Sequence, residues 1–503
     1  ENKNVAVGYQ TLRGSASAAV NTGNENTAIG YQALLSTTQG ASNTAVGSSA
    51  LYSNISGLAN TAIGVKALYG NVTGDFNTAN GYQALYNNVD GKSNTASGTN
   101  ALFANTTGQY NSAFGDDALK DNTIGNFNVA IGSFSLVSNV AGDKATAVGY
   151  GAMQYINNSA STFENKNVAV GYEALKGSPN PSTNTGNENT AIGFRSLYNN
   201  EIGNSNTTYG FYSLYKNTTG ANNTAQGHKA LYNNVTGSAN TAVGLNALYY
   251  NVDGGNNTAI GYAAGVGSFN EDCESCTFVG NYASLSETRT NVTMLGASVL
   301  NGNCTGNDQM CLGNTAISQI RANITGITAY SDSRYKTNVE ENVAGLDFIL
   351  KLKPVTYNVR PKELHHIWGS PDSLANKIDH SETEQIRFIG FLAQDVEKAA
   401  QESGFNFPGI DIPRNSHEVY ALRYTDFIMP MVKAMQEMHT TTIQLQSEVK
   451  SQQLLVDVLV QQNEDLLQQL NLVKIEQQQQ VTELKTLLFE LKAEITTSKP
   501  VED

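Results

Sequence analysis

The fold is decided by the stretch Asn60-Thr61-Ala62-Ile63-Gly64-Val65-Lys66-Ala67-Leu68-Tyr69-Gly70-Asn71-Val72-Thr73-Gly74. Close copies of this stretch fill the first two thirds of the 503-residue chain. Its leading asparagine recurs in steps of 17 residues, apart from two successive steps of 22 residues on either side of Asn167. The equivalent positions are Asn26, Asn43, Asn60, Asn77, Asn94, Asn111, Asn128, Ala145, Asn167, Asn189, Asn206, Asn223, Asn240 and Asn257. A fixed, short period indicates stacked coils in which each unit contacts only its neighbours. The sequence therefore predicts a parallel β-roll or β-solenoid over residues 1–320.

Recurring positions within the unit predict how the coils stack. Ile63 and Leu68 have counterparts in neighbouring units, so stacking aligns them into two apolar columns. Gly64 supplies a sharp corner, since glycine tolerates a positive φ. Asparagines at one register can form hydrogen-bonded ladders up the stack. With strands of about three to five residues and a spacing of about 4.8 Å, about 18 coils would make a rod of roughly 85 Å.

Composition and charge exclude several classes of function. The formal net charge is −14 and the chain shows no Lys/Arg cluster. A nucleic-acid groove needs cations that neutralise phosphates, so nucleic-acid binding is not expected. The chain lacks a run of about 18 apolar residues, which predicts no membrane span, and nothing indicates a cofactor. Seven of the nine prolines follow Ser331, which marks a boundary between two kinds of structure.

The four cysteines, Cys273, Cys276, Cys304 and Cys311, lie late in the array. The spacing Cys273-x-x-Cys276 is found in zinc sites, but the other two cysteines have six residues between them and no histidine nearby. Disulfides between degenerate coils are favoured over zinc, because a surface rod works in an oxidising place. Buried thiols are the third interpretation. No metal site is predicted.

Residues 331–430 differ from the array, because short apolar runs such as Phe348-Ile349-Leu350 alternate there with polar loops. This pattern predicts a mixed α/β domain over 321–430. Residues 361–384 are interpreted as an insertion loop. His365, His366 and His380 lie in or near it, and we expect a solvated loop there rather than a metal site.

From Met431 onward the sequence is helical with a heptad repeat. The a positions are Val456, Asn463, Leu470, Gln477, Leu484 and Leu491, and the d positions are Leu459, Leu466, Val473, Gln480 and Leu487. More than five such heptads predict a coiled coil over 431–497. Asn463 is a polar core position of the kind that fixes register and strand number.

Four segments in order resemble one known domain. They are Ser331-Asp332-Ser333-Arg334-Tyr335-Lys336-Thr337-Asn338, the passage 339–357, Ile389-Gly390-Phe391-Leu392-Ala393-Gln394-Asp395-Val396-Glu397, and the passage 420–438. Together they resemble the intramolecular chaperone auto-processing domain, or peptidase S74 domain. That domain forms the C-terminus of phage tail spikes and fibres and of some other trimeric proteins.

The resemblance implies a serine–lysine dyad. Ser331 would be the nucleophile and Lys336 the base of a single-turnover endopeptidase that cuts its own chain between Tyr330 and Ser331. A lysine acts as a base only when neutral, which needs desolvation or a cationic neighbour. Asp332, Arg334 and Asn338 are candidate supporting residues; Arg334 can either act on the lysine or hold the Asp332 carboxylate.

The repeats resemble the head of trimeric autotransporter adhesins, which favours a homotrimer with a trimeric coiled coil at its C-terminus. A single-chain solenoid is the structural alternative. The sequence thus predicts an extracellular trimeric fibre, spike or adhesin, on a virion tail or a cell surface, that binds a host-surface receptor or glycan.

Two other functions fit the sequence less well. A glycan-degrading tail spike with the same chaperone needs two carboxylates facing across a sugar, and the repeats offer only isolated acids such as Asp116, Asp117 and Glu173. A membrane-bound, myelin-type transcription factor uses a related domain. It needs a basic DNA-binding domain and a transmembrane helix, and this sequence shows neither.

Overall fold

The computed structural model describes residues 3–17, 20–267, 272–285, 287–299, 304, 306–314, 317, 331–367, 380–416 and 418–497. The chain forms two compact units, the first comprising Glu1–Ala322 with Arg360–Glu384 and the second Asn323–Val359 with Gln385–Asp503. The predicted fold class is confirmed: a parallel β-solenoid precedes a mixed α/β region and a long C-terminal helix. The predicted domain limits and the trimer stay predictions.

The solenoid is built on one sheet of 18 short parallel strands. Each strand has three residues and pairs in register with the equivalent strand of the next coil, as Thr44 pairs with Thr61. The strands are Val5–Val7, Thr27–Ile29, Thr44–Val46, Thr61–Ile63, Thr78–Asn80, Thr95–Ser97, Ser112–Phe114, Val129–Ile131, Thr146–Val148, Val168–Val170, Thr190–Ile192, Thr207–Tyr209, Thr224–Gln226, Thr241–Val243, Thr258–Ile260, Thr277–Val279, Thr293–Leu295 and Met310–Leu312. Gly142–Asp143 and Phe163–Glu164 form a separate parallel pair.

The core of the solenoid is narrow and lies within one chain. Side chains alternate across a strand, so the central Ala62 points inward and is fully buried while Ile63 stays 43% exposed. Leu68, after the glycine corner, is fully buried as well. Both predicted columns therefore exist: the leucine column is buried in the core, whereas the isoleucine column lies on the outer surface and alanine fills the inner position of the strand.

Two asparagine ladders run through the core. Asn60 donates from its backbone N to Asn43 Oδ1 at 2.9 Å and from Nδ2 to the carbonyl of Gly74 at 2.8 Å. The second ladder joins Asn71 Nδ2 to Asn54 Oδ1 at 2.8 Å. Buried amides are stable in an apolar interior only when hydrogen-bonded in this way. The ladders confirm one prediction and show a second register that was not predicted.

The corner glycines are held in a conformation that other residues rarely adopt. Gly98 has a φ of 139°, and a Cβ there would overlap the carbonyl oxygen of Gly115 in the next coil. We expect Gly98→Ala to destabilise the array by at least about 2 kcal/mol through backbone strain and the displaced coil. Thermal unfolding of the variant measures this. Thr99→Ala, a change of similar size one residue on, is the control; equal melting temperatures for the two variants would contradict the explanation.

The second unit packs short elements around aromatic residues. Two strand pairs are antiparallel, Val355–Tyr357 with Phe388–Gly390 and Ile410–Asp411 with Ala421–Leu422. The described helices of the chain are α1 (Leu346–Lys351), α2 (Pro361–Ile367), α3 (Ser381–Gln385), α4 (Ala393–Glu402) and α5 (Ile428–Thr497); α2 and most of α3 belong to the first unit. The buried cluster of the second unit comprises Phe348, Val396, Ala399, Ala400, Phe407 and Phe427.

The predicted insertion loop is only partly a loop. α2 and α3 occupy its two ends, and residues 368–379 lie outside the described residues. His366 is exposed, whereas His380 is 2% exposed, so the expectation of a solvated loop is wrong at His380. The side chain of His365 lies outside the described residues.

α5 is a single helix of 70 residues, about 105 Å long at 1.5 Å per residue. Its heptad leucines are exposed in one chain, Leu466 by 61% and Leu470 by 59%. The helix is confirmed; its pairing into a coiled coil stays a prediction. Of the helices described, none combines the length and apolarity needed to cross a membrane.

Candidate active site

The segment that begins at Ser331 folds into a tight turn. Ser333–Tyr335 form one turn of 3-10 helix, and the Asp332 side chain caps it by accepting a hydrogen bond from Arg334 N at 2.8 Å. This turn reverses the chain, so that Lys336 Nζ donates to Ser331 Oγ at 2.6 Å. A serine and a lysine in direct hydrogen bond have the geometry that an activated nucleophile and its base require.

Arg334 interacts with the neighbouring acid. Its guanidinium donates to Asp332 Oδ2 from Nε at 2.9 Å and from Nη2 at 2.6 Å. These hydrogen bonds lower the pKa of Asp332 below its usual range. Of the two roles considered for Arg334, the contacts agree with holding the carboxylate that caps the turn. Asn338 has a left-handed φ of 53°, which turns the chain after Lys336.

Ser331 and Lys336 are both exposed when one chain is considered by itself. A lysine ammonium can donate a hydrogen bond to the serine but cannot accept its proton. Desolvation favours the neutral amine. The described residues of one chain therefore place the two groups correctly but do not provide the cover that would make the lysine a base.

Hydrogen bonds join the segment 389–397 to the segment 420–438. Tyr424 accepts a hydrogen bond at its hydroxyl from Phe391 N at 3.0 Å, and a Cβ on Gly390 would overlap that hydroxyl. The Tyr420 hydroxyl bonds Glu397 Oε2 at 3.0 Å. The segment 389–397 is thereby fastened to the segment that leads into α5. These tyrosines were quoted in the sequence motif, but no positioning role was predicted for them.

The start of α1 is capped from a distance. Glu437 of α5 accepts a hydrogen bond at Oε2 from Leu346 N at 2.7 Å, across 91 residues of sequence. A carboxylate is favourable at a helix N-terminus because free N–H groups point at it. Sequence reasoning missed this contact, since only the fold brings the two segments together.

The cysteines divide into two kinds. Cys304 and Cys311 form a disulfide with a Cα–Cα distance of 6.0 Å, whereas Cys273 and Cys276 are thiols. A hydrogen bond from Cys273 lowers the pKa of Cys276 to about 7. Within the part of the chain that the structure describes, no group of three His, Cys, Asp or Glu side chains is placed to hold a metal ion.

The acids considered for glycan hydrolysis are engaged in ion pairs. Glu173 is 5% exposed and lies 2.6 Å from both Lys176 and Arg195, and Asp117 lies 2.9 Å from Lys120. Asp117 and Glu173 occupy equivalent places three coils apart, about 14 Å at the usual strand spacing. Paired glycosidase carboxylates are separated by roughly 5–9.5 Å, so these two do not form such a pair.

Comparison with known proteins identifies one part of the chain. A search of curated proteins found no match. Residues 331–405 match the family Peptidase_S74, described as the chaperone of endosialidase. The match starts at Ser331 and ends shortly after α4, and this family implies a self-cleaving intramolecular chaperone. The chain thus carries a peptidase S74 segment directly after a long parallel β-solenoid, the combination that fits a protein of the tail fibre or tail spike type.

Proposed function

We propose that the chain is a trimeric fibre or spike for attachment to a host or other surface, and that its C-terminal chaperone cleaves itself off between Tyr330 and Ser331. The observation that supports this best is the 2.6 Å hydrogen bond from Lys336 Nζ to Ser331 Oγ, located at the first residues of the matched segment. Tyr330 itself lies outside the described residues.

The nucleophilic oxygen belongs to Ser331, the residue that follows the scissile bond. The reaction therefore begins with a shift of the Tyr330 acyl group from nitrogen to oxygen within the same serine. Neutral Lys336 takes the proton of Ser331 Oγ, and the oxygen attacks the carbonyl carbon of Tyr330 through a five-membered ring. The C–N bond then breaks, Lys336 returns the proton to the Ser331 nitrogen, and an ester joins Tyr330 to the serine oxygen. Water hydrolyses this ester, which leaves a carboxylate on Tyr330 and restores the hydroxyl of Ser331.

Trimer formation would bury the heptad leucines of α5 and remove water from Lys336. The heptad leucines of α5 are about 60% exposed in one chain, and apolar residues at heptad spacing are buried only by partner helices. Packing against a neighbouring chain would also remove water from Lys336. Cleavage would then follow assembly, which is the order that a folding chaperone needs.

Attachment is proposed for the solenoid and glycan degradation is not. The acids Asp117 and Glu173 are too far apart and too strongly ion-paired to hydrolyse a glycan together. We therefore propose binding without turnover, to a host-surface receptor or glycan, at an extracellular location on a virion tail fibre or a cell surface.

The position of the cut is the direct test. Purified full-length chain, incubated at neutral pH, should release a fragment of about one third of the chain on a denaturing gel, and its N-terminal sequence should be Ser331-Asp332-Ser333. Hydroxylamine attacks esters but not ordinary amides, so brief treatment during the reaction should give a Tyr330 hydroxamate by mass spectrometry. A fragment that starts at another residue would refute the assignment of Ser331.

A further inference from the structure

One side of the solenoid differs from the others in its surface chemistry. We call the strand face the set of outward side chains at the first and third residues of the 18 strands. The first residues are Val5, Thr27, Thr44, Thr61, Thr78, Thr95, Ser112, Val129, Thr146, Val168, Thr190, Thr207, Thr224, Thr241, Thr258, Thr277, Thr293 and Met310. The third residues are Val7, Ile29, Val46, Ile63, Asn80, Ser97, Phe114, Ile131, Val148, Val170, Ile192, Tyr209, Gln226, Val243, Ile260, Val279, Leu295 and Leu312.

The strand face carries no charge. Residues 1–330 contain 31 charged side chains, and at that frequency about three of the 36 strand-face residues would be charged. None is. Depletion of charge is what distinguishes the buried centre of a protein interface from the rest of a surface.

The third-residue column of this face is mostly apolar, and the first-residue column is mostly threonine. Ile29, Ile63, Ile131 and Ile260 are between 41% and 44% exposed, and Tyr209 is 59% exposed. Eighteen strands at about 4.8 Å make the face about 80 Å long, and three residues make it about 10 Å wide. Its outline of about 800 Å² is close to the area that each partner contributes to a stable interface.

Further copies of this chain are the occupant that fits such a face. The face repeats one pattern at every coil, so a second solenoid aligned in parallel presents matching side chains along the whole length. Asn80, Ser97 and Gln226, which lie at third positions of their strands, can hydrogen-bond to their own counterparts at a symmetry axis. A partner of unrelated structure would have to reproduce this spacing over about 80 Å.

The proposed self-cleavage makes such a contact necessary. The cut before Ser331 removes α5 and its heptads together with the chaperone, so the solenoids must then hold together through their own surface. We infer that the strand face is the surface along which copies of the chain pack, side by side and in register, in the trimer. This inference rests on the trimer of the proposed function and adds which residues form its interface.

Cysteine cross-linking tests the inference in the full-length chain. Ile63→Cys places a thiol on the strand face, and Ile55→Cys places one on another column of the same coil stack. The two isoleucines are equally exposed in one chain, at 43% and 45%. Three cysteines that meet at a threefold axis can form one disulfide per trimer. Mild oxidation should therefore convert about two thirds of the Ile63→Cys chains to covalent dimers, and few of the Ile55→Cys chains. Equal yields, or a higher yield for Ile55→Cys, would overturn the inference.

The mass of the unmodified protein and a pair of glutamate variants distinguish failure of the proposed trimer from failure of the strand-face interface. If the unmodified protein has the mass of a monomer, the proposed trimer fails. If it is trimeric but Ile63→Cys does not cross-link, only the strand-face interface fails. Should the cysteine variants not fold, Ile63→Glu with Ile131→Glu should raise the concentration at which the cleaved array dissociates by at least tenfold. Ile55→Glu with Val89→Glu, of matched exposure, should leave it unchanged.

Discussion

We expect Ser331→Ala to leave the chain as one full-length band on a denaturing gel, whereas the wild-type chain should lose about a third of its mass. The expected fall in cleavage rate is at least about 10³-fold, as for the loss of a nucleophile in other serine peptidases. The hydroxyl is exposed, so its removal costs little packing. Trimer assembly should therefore be preserved. Lys336→Ala should block cleavage in the same way because it removes the base.

Two variants separate the base from a mere hydrogen-bond donor. Lys336→Arg keeps a cationic donor near Ser331 Oγ but provides a group that cannot be deprotonated in proteins, so it should not cleave. Ser333→Ala changes a serine in the same turn that has no assigned role, and it should cleave at the wild-type rate. Cleavage by Lys336→Arg at the wild-type rate would disprove the dyad.

Leu466→Glu combined with Leu470→Glu should slow self-cleavage strongly at low protein concentration. The two leucines occupy successive d and a positions of the predicted seam and are 61% and 59% exposed in one chain. Carboxylates there repel one another across the seam and weaken the trimer, so Lys336 stays hydrated. Raising the protein concentration restores the trimer by mass action and should recover the rate.

The control places the same charges off the seam. Leu454→Glu with Leu472→Glu alters leucines of similar exposure, 69% and 63%, at f and c positions, and should cleave normally. The rate is followed on denaturing gels over a series of concentrations, with the oligomeric state measured by native mass spectrometry. A demonstrably monomeric seam variant that cuts at the wild-type rate would show that one chain contains the complete site.

Sequence reasoning predicted the periodic part of the fold well, because a 17-residue repeat fixes which residues stack. Leu68 and the asparagine ladder lie where they were expected. The predicted column of Ile63 and its counterparts also exists, but the sequence did not indicate on which side it lies: the narrow interior takes Ala62, and Ile63 lies on the outer surface. The burial of His380 depends on tertiary packing that no local pattern shows.

The candidate site was predictable in its residues but not in its surroundings. The resemblance paired Ser331 with Lys336, and the 2.6 Å hydrogen bond between them agrees with that pairing. The contacts made by Tyr424 and Glu437 join segments distant in sequence, and a single sequence gives no signal for them. What covers Lys336 is also beyond one chain's sequence, because in our proposal a neighbouring copy provides it.

The asparagine ladders have a mechanical consequence. Successive regular coils are joined by nearly the same hydrogen bonds, such as Asn60 N to Asn43 Oδ1 at 2.9 Å and Asn77 N to Asn60 Oδ1 at 2.9 Å. Because each coil contacts only its neighbours, tension on one end peels the stack one coil at a time, with nearly equal force at each step. Each released coil of 17 residues lengthens the tether by roughly 55 Å. A solenoid of this kind would yield gradually under a sudden load and rewind from the coils still in place.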